Sequence, residues 1–238
     1  MALWGFFDES GEHDTQGRLL RLTLGGFFAP WEEVKKLCER WRVALDEESL
    51  GEFHMKEIAS DEERFATWSR ERQGRLARFV DILCEHAQEF GAFSYTSNRR
   101  AGLFREVYQT ALNRVFIDFA TLCERTGERG HVVFARTHEI SDKRIGGYFE
   151  RLGWGEYLDG YTVQLARCSP GLQAAEIVAR GMKRLMQDGG ITYSFTRVLL
   201  AGAAPGKAIR FWPQHPFEAV AALGHSPRVL LTQQNTRS

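Results

Sequence analysis

The chain has 238 residues, of which 43% are hydrophobic, enough to fill the core of a folded domain and to argue against general disorder. Lys plus Arg and Asp plus Glu both total 31, so the net charge is zero and the global basicity typical of many nucleic-acid-binding proteins is absent. Any polyanionic partner must therefore meet a local basic patch. We expect one domain over residues 1–238, with a polar tail from about residue 232.

Cysteine use and hydropathy predict a cytoplasmic protein without a membrane partner. The cysteines form no CxxC pair, and Cys38, Cys84 and Cys123 fall among the apolar positions of predicted helices, which favours reduced thiols in the core. The N-terminus reaches the charged Asp8 too early for a secretion signal, and no apolar run approaches the ~20 residues of a membrane span. Oligomeric state is not specified by the sequence.

The beginning of the chain predicts a hairpin followed by a helix. The apolar run over 3–8 indicates a buried strand, the polar stretch to Gly17 a turn, and residues 18–28 a second strand pairing back on the first. Pro30 occupies the first position of the predicted helix. Apolar residues then recur at helical spacing at Val34, Leu37, Cys38, Trp41 and Leu45. Residues 46–62 are acidic and irregular.

The rest of the chain alternates helices with short strands. We predict helices over 76–90 (ended by Gly91), 104–122, 141–152 and 169–187, and strands over 93–96, 131–134 and 161–165. A final hairpin is expected to join strands over 191–200 and 208–212. A hairpin followed by strands that interleave with helices indicates an α/β fold, with a mixed sheet flanked by helices rather than a purely parallel one.

Two acidic motifs in the first quarter of the chain carry candidate chemistry. The motif DESG, beginning at Asp8, places an acid where a buried strand emerges, at the sheet edge where α/β folds tend to bind ligands. The motif FHMKE places His54 and Glu57 three residues apart, on one face of a helical turn. Each has a plainer interpretation, because polar residues commonly begin where strands end and charged residues are usually on the surface.

A third acidic residue, Glu176, interrupts the apolar face of the last long helix in the stretch LQAAEIVA. A carboxylate in such a place needs a cation or strong hydrogen bonds, or its pKa rises until it is neutral. The alanines around it are small enough for the helix to lie close to the sheet, which would bring Glu176 towards Asp8. A buried salt bridge to Arg180 or Lys183 is the alternative.

A cluster of carboxylates predicts a divalent cation. Asp8, Glu57 and Glu176 in one pocket would repel one another, and Mg²⁺ or Mn²⁺, which favour oxygen ligands, would compensate. Such ions can activate water for phosphodiester hydrolysis.

Basic residues near these motifs are candidates for gripping phosphates. Arg99 and Arg100 precede the clearest helix, and Arg180 and Lys183 follow Glu176. A solvated helix face is the more common explanation for any single one of them.

Together, the motifs FDESG, FHMKE and LQAAEIVA resemble, in order and spacing, the domain of unknown function 3800 family. The resemblance covers most of the chain and implies a ribonuclease-H-like fold with suspected nuclease activity. Asp8 matches the first-strand acid of that family, Glu9 the adjoining acid, and His54 and Glu57 its central motif. Glu176 stands where the family usually has Asp, which keeps the charge but lengthens the arm.

The resemblance leads to the hypothesis of a divalent-metal-dependent nuclease that acts on DNA or RNA. Asp8 and Glu176 would be the core metal ligands, Glu57 a third ligand or water-orienting group, Glu9 a lesser ligand and His54 a general acid or base. One departure is that the predicted strand over 132–135 lacks the acid that many ribonuclease-H-like enzymes carry, which leaves Glu139 as its substitute.

Two alternatives remain open. The first is a non-catalytic relative of the same fold that binds nucleic acid or protein through a degenerate metal site. The second is a zinc hydrolase using His54 and other histidines, although HExxH and paired Cys/His spacings are absent from the sequence.

Overall fold

The fold is an α/β structure built on one mixed sheet. The computed structural model describes residues 2–13, 15, 19–55, 70–96, 104–137, 141–151, 154–188, 197–198, 201–202, 204–205 and 207–213. The strands are β1 (Leu3–His13), β2 (Leu19–Pro30), β3 (Glu89–Thr96), β4 (Gly130–Ala135), β5 (Leu158–Gln164) and β6 (Ala208–Pro213). The α-helices are α1 (Trp31–Glu47), α2 (Arg70–His86), α3 (Phe104–Thr126), α4 (Asp142–Arg151) and α5 (Pro170–Asp188). Short 3-10 helices span Trp154–Glu156 and Ala166–Cys168.

The six strands lie in the order β5-β4-β1-β2-β3-β6. β1, β2 and β3 are antiparallel neighbours, which confirms the N-terminal hairpin. β4 extends the sheet in parallel from β1 and β5 from β4, while β6 runs parallel to β3 at the other edge. The sheet is therefore mixed and flanked by helices, as the sequence predicts.

Side chains that alternate along the strands feed two separate cores. On one side of the sheet, here called the α5 face, Phe6, Phe27 and Val133 pack with residues of α1, α2 and α5. On the other, here called the α3 face, Phe7 and Phe28 pack with residues of α3 and α4. Each strand of the hairpin is thus apolar on both sides, which explains why β1 and β2 have nearly continuous hydrophobic runs.

Helix α5 lies unusually close to β1 and β2 because small residues face each other there. A Cβ atom on Gly25 of β2 would lie 2.6 Å from the Cα of Ala179, and one on Gly171 would lie 2.5 Å from the ring of Phe6. Gly25 is the residue directly opposite Asp8 in the β1/β2 register. The absent side chains therefore let the helix backbone approach the sheet next to Asp8.

The turn predicted directly after Asp8 is wrong, because β1 continues to His13. Pairing with β2 is regular from Leu3↔Pro30 to Glu12↔Arg21, with a shift only at His13. The polar residues beyond Asp8 do not end the strand, because the long partner strand satisfies their backbone groups and leaves their side chains partly exposed.

The predicted end of α2 is also wrong. The helix ends at His86, and Phe90 lies in β3 opposite Phe27 rather than in the last helical turn. Apolar residues happen to keep helical spacing across this junction, but Phe90 is buried in the α5-face core as a strand residue. Periodicity alone cannot locate such a boundary.

The C-terminal hairpin is not supported either. Arg197, Val198, Ala201 and Gly202 are helical, and β6 pairs in parallel with β3. Residues 191–196 and 199–200 of the predicted hairpin lie outside the described residues.

The expectations for cysteines and hydropathy can also be compared with the structure. All four cysteines are free thiols, with Cys123 buried, Cys38 and Cys84 half-buried and Cys168 exposed. Burial raises the pKa of Cys84 and of Cys123 to about 11, which makes both inert core thiols at neutral pH. Across the described ranges, every helix is too short or too polar to pass through a bilayer.

Candidate functional site

Asp8 lies on the α5 face of the sheet, at the edge of its parallel part. The parallel register of β1 with β4 ends at Phe7↔Phe134, so Asp8 is the first residue of β1 beyond it. Alternation along β1 places its side chain on the same side as that of Phe6, under α5. The backbone N–H of Glu9 donates a hydrogen bond of 2.9 Å to its Oδ1.

Glu176 of α5 is the charged neighbour of Asp8. Burial, and secondly the nearby carboxylate of Glu176, raises the pKa of Asp8 to about 8, against the opposing effect of the hydrogen bond from Glu9. At neutral pH and without a cation, Asp8 is therefore mainly protonated. The charge effect of Glu176 on Asp8 is consistent with the predicted approach of the two side chains, and the close packing of Gly25 against Ala179 brings α5 near this part of the sheet.

The segment of the FHMKE motif is bound directly to α5 through Glu176. The Nδ1 atom of His54 lies 3.0 Å from Glu176 Oε1, and the backbone N–H of Met55 donates a 3.3 Å hydrogen bond to Glu176 Oε2. The side chains of Phe53 and Met55 are buried, whereas that of His54 is 44% exposed. His54 is thus held by Glu176 while nearly half of its side chain is exposed.

Gln173, which the sequence analysis did not select, holds the same segment one turn earlier on α5. Its Oε1 accepts hydrogen bonds from Trp41 Nε1 at 2.9 Å and from the backbone N–H of Phe53 at 3.0 Å. Its Nε2 donates to the backbone oxygen of Arg167 at 3.1 Å. The sequence shows Gln173 as a second polar residue on the buried side of α5, three residues before Glu176, but it does not show the distant groups that Gln173 binds.

Glu9 is not brought together with the other acids. It follows Asp8 within the regular part of β1, so its side chain is on the α3 face. Buried Tyr108 of α3 lies on that face, and its pKa is raised well above the usual value by burial and by the charges of Glu9 and Asp8. The sheet therefore separates Glu9 from Glu176, contrary to its predicted role as a ligand beside Asp8.

Lys183 and Arg180 continue along α5 from Glu176 towards the end of the hairpin. Lys183 Nζ donates a 3.0 Å hydrogen bond to the backbone oxygen of Gly11. Burial lowers the pKa of Lys183, with Glu12 acting against this and Arg180, Arg21 and Arg184 adding to it. These four basic side chains therefore lie near one another, and Arg21 also pairs with Glu12 at 2.7 Å.

Four predicted residues cannot be placed. Glu57, Arg99, Arg100 and Glu139 all lie outside the described residues. The last described residue before Glu57 is Met55, which Glu176 binds.

The donor chemistry of Asp8 and Glu176 suits a hard divalent cation. Asp8 lies under α5 and Glu176 belongs to that helix, and a cation between the two carboxylates would offset the repulsion that contributes to the raised pKa of Asp8. Within the part of the chain that the structure describes, His, Cys, Asp and Glu side chains form no group of three or more that could hold a metal ion. Asp8 and Glu176 are thus two carboxylates and not a full ligand set.

Comparison with known proteins adds no family assignment. No protein-family model matches the chain, and no curated protein is significantly similar to it in sequence. The resemblance described above therefore rests on the three motifs alone.

Proposed function

We propose that this protein is a nuclease of ribonuclease-H-like fold that hydrolyses phosphodiester bonds with Mg²⁺ or Mn²⁺. The observation that carries the proposal is that Glu176 of α5 contacts His54 at 3.0 Å and also acts by its charge on buried Asp8, so that three distant segments of the chain converge on one carboxylate. A meeting of acids at the edge of a sheet is costly for folding, and a bound cation is the simplest compensation for it.

The fold supports this assignment. An antiparallel β1–β2–β3 unit continues in parallel through β4 and β5, with helices on both sides. Asp8 lies at the carboxyl end of the parallel β1–β4 pair, which is where α/β sheets tend to bind ligands.

Each residue of the site has a role in the proposal. Asp8 and Glu176 would hold the metal, with Glu57 as a third ligand. When bound, the metal would polarise a phosphate oxygen and lower the pKa of a bound water. His54 would move the proton, because Glu176 fixes its Nδ1 side while the imidazole remains 44% exposed to an incoming substrate.

The substrate class follows from the charges beside the carboxylates. Arg180 and Lys183 are four and seven residues after Glu176 on α5, so they lie within about 10 Å of it along the helix. Phosphates on one side of the cleaved bond would meet these cations. A neutral chain with a local basic patch would bind a polyanion at this place and weakly elsewhere.

A cleavage assay on labelled DNA and RNA with Mg²⁺ or Mn²⁺ tests the proposal. We expect Asp8→Asn and Glu176→Gln each to lower activity by at least about a hundredfold, because each would remove a negatively charged metal ligand. Asp159→Asn is the matched control, since Asp159 is an exposed residue of β5 paired with Arg129. Equal activity of all four proteins on every substrate would refute catalysis at this site.

One observation favours a second candidate, a non-catalytic nucleic-acid- or protein-binding relative. The described residues do not include three metal-ligating side chains in one group, and β4 has the sequence GHVVFA without an acid. A protein of this kind would bind nucleic acid without metal-dependent cleavage. Metal analysis of protein purified without chelator would also separate both candidates from a zinc hydrolase.

A further inference from the structure

We propose that Gln173 is a positioning residue that presents His54 to Glu176 by holding the backbone of the segment before it. This deepens the proposed function, since it rests on His54 and Glu176 being part of the reactive site. Gln173 is 3% exposed, and its amide makes three hydrogen bonds to three different parts of the chain.

The first step is that Gln173 fixes the backbone immediately before His54. Phe53 is the last residue before His54, and its N–H is bound by Gln173 Oε1. Its ring is clamped at the same time, with centroids 5.2 Å from Trp41 and 4.7 Å from Phe79. Position and direction of the chain entering His54 are therefore both determined at Phe53.

The second step is that the amide of Gln173 can adopt only one orientation. Trp41 Nε1 is a donor only and the backbone oxygen of Arg167 is an acceptor only, so a flipped amide would lose these bonds. The orientation required by Trp41 and Arg167 is the one that offers an acceptor to the N–H of Phe53.

Holding the backbone on both sides of His54 also determines how its imidazole meets Glu176. Gln173 and Glu176 are separated by about one helical turn, and together they bind the N–H groups of Phe53 and Met55 on either side of His54. The imidazole then meets Glu176 Oε1 through Nδ1, which in a neutral ring requires the proton on Nδ1. Gln173 thus acts on His54 through the backbone, without touching its side chain.

The test uses the metal-free chain and Gln173→Met, which keeps the volume but loses the acceptor and the donor. Nitrogen-15 NMR of His54, at a pH where the ring is neutral, should report the Nδ1–H tautomer in the native protein and its loss in the variant. Mn²⁺ affinity should fall about tenfold to a hundredfold, the usual range for removal of a residue that orients a metal site.

Val178→Ala is the matched control, because Val178 is fully buried on the same helix and contributes only packing to the α5-face core. This control should lower stability while leaving the His54 tautomer and the Mn²⁺ affinity unchanged. The proposal is overturned if Gln173→Met keeps the His54 tautomer and the Mn²⁺ affinity, or if Val178→Ala loses them.

Amide exchange in the native chain decides the question if Gln173→Met does not fold. Phe53 should show a protected N–H although it lies outside regular secondary structure. Exchange at the rate of a free amide would overturn the positioning role. The tautomer and the exchange rates are read without metal, so a native chain that binds no Mn²⁺ would refute the nuclease proposal and leave this inference standing.

Discussion

Asp8 links the electrostatics of the site to the stability of the fold. Its pKa is about 8 in the folded chain and close to the ordinary value of 3.8 when unfolded, so the folded state binds more protons between these limits. Stability must therefore fall as pH rises through this window, because the slope follows the difference in bound protons. Below pH 4 and above pH 8, this residue adds no slope.

We predict that Asp8→Asn stabilises the metal-free protein at pH 8 by about 1–2 kcal/mol, since a neutral amide avoids the cost of a buried charge beside Glu176. The gain should shrink towards pH 4, where Asp8 is protonated in both states. Urea unfolding at several pH values in the presence of a chelator measures it. An unchanged or larger gain at pH 4 would contradict the raised pKa.

Bound metal should reverse the effect of the charged form of Asp8 on stability. Because a cation favours the charged carboxylate, Mg²⁺ or Mn²⁺ should raise the melting temperature of the native chain at pH 8 and release a proton on binding. Asp8→Asn should show neither effect. Differential scanning fluorimetry and calorimetry in two buffers of different ionisation enthalpy would detect them, with Asp159→Asn as the control that keeps both.

At the scale of elements, the placement of α5 against the hairpin sets the geometry of the site. A methyl group on Gly25 would lie 2.6 and 2.7 Å from backbone atoms of Ala179, and backbone atoms cannot rotate away as side chains do. The helix must therefore shift to accept any larger residue. Glu176, one turn before Ala179, would move with it.

We predict that Gly25→Ala destabilises the fold by about 1–3 kcal/mol, the usual cost of overpacking, and weakens Mn²⁺ binding as well. Gly74→Ala is the control, because Gly74 is exposed within α2 and a methyl group there meets nothing within 4 Å. That change should stabilise the chain by roughly 0.5–1 kcal/mol. Equal stability of both variants would mean that α5 does not approach the sheet this closely.

The elements also indicate what the sequence can and cannot predict. Helix α5 and its approach to Asp8 follow from small residues and one acid on an apolar face, which are local features. The end of β1 does not, because pairing with β2 extends it past Asp8 to His13. With the strand taken to end at Asp8, the face on which the side chain of Glu9 lies could not be predicted, since alternation applies only while the strand continues.

Gln173 was missed for a related reason. Hydrogen bonds from Trp41 and Phe53 depend on tertiary contacts across more than a hundred residues of sequence, and these have no local pattern. Parallel pairing of β6 with β3 is non-local in the same way. The existence of single helices and strands was therefore easier to predict than the groups and strands that pair with each other in the fold.

At the scale of the whole molecule, a net charge of zero means that a polyanion would be attracted by local basic groups and not by the overall charge. The formal net charge is zero, while Arg21, Arg180, Lys183 and Arg184 lie near one another at the end of the hairpin. If the chain binds nucleic acid as proposed, it should do so through few phosphate contacts. This behaviour differs from that of a basic protein, whose whole surface attracts the backbone.

A salt titration of oligonucleotide binding tests this view, with catalysis prevented by Asp8→Asn. The slope of log K against log salt should correspond to no more than about four phosphates, and Arg180→Gln or Lys183→Gln should each reduce it by about one. Lys35→Gln is the matched control, because Lys35 is half-exposed on α1 and paired with Glu32 at 2.6 Å. If Lys35→Gln lowers the slope as much as the two α5 variants do, binding is spread over the surface and α5 does not direct the substrate.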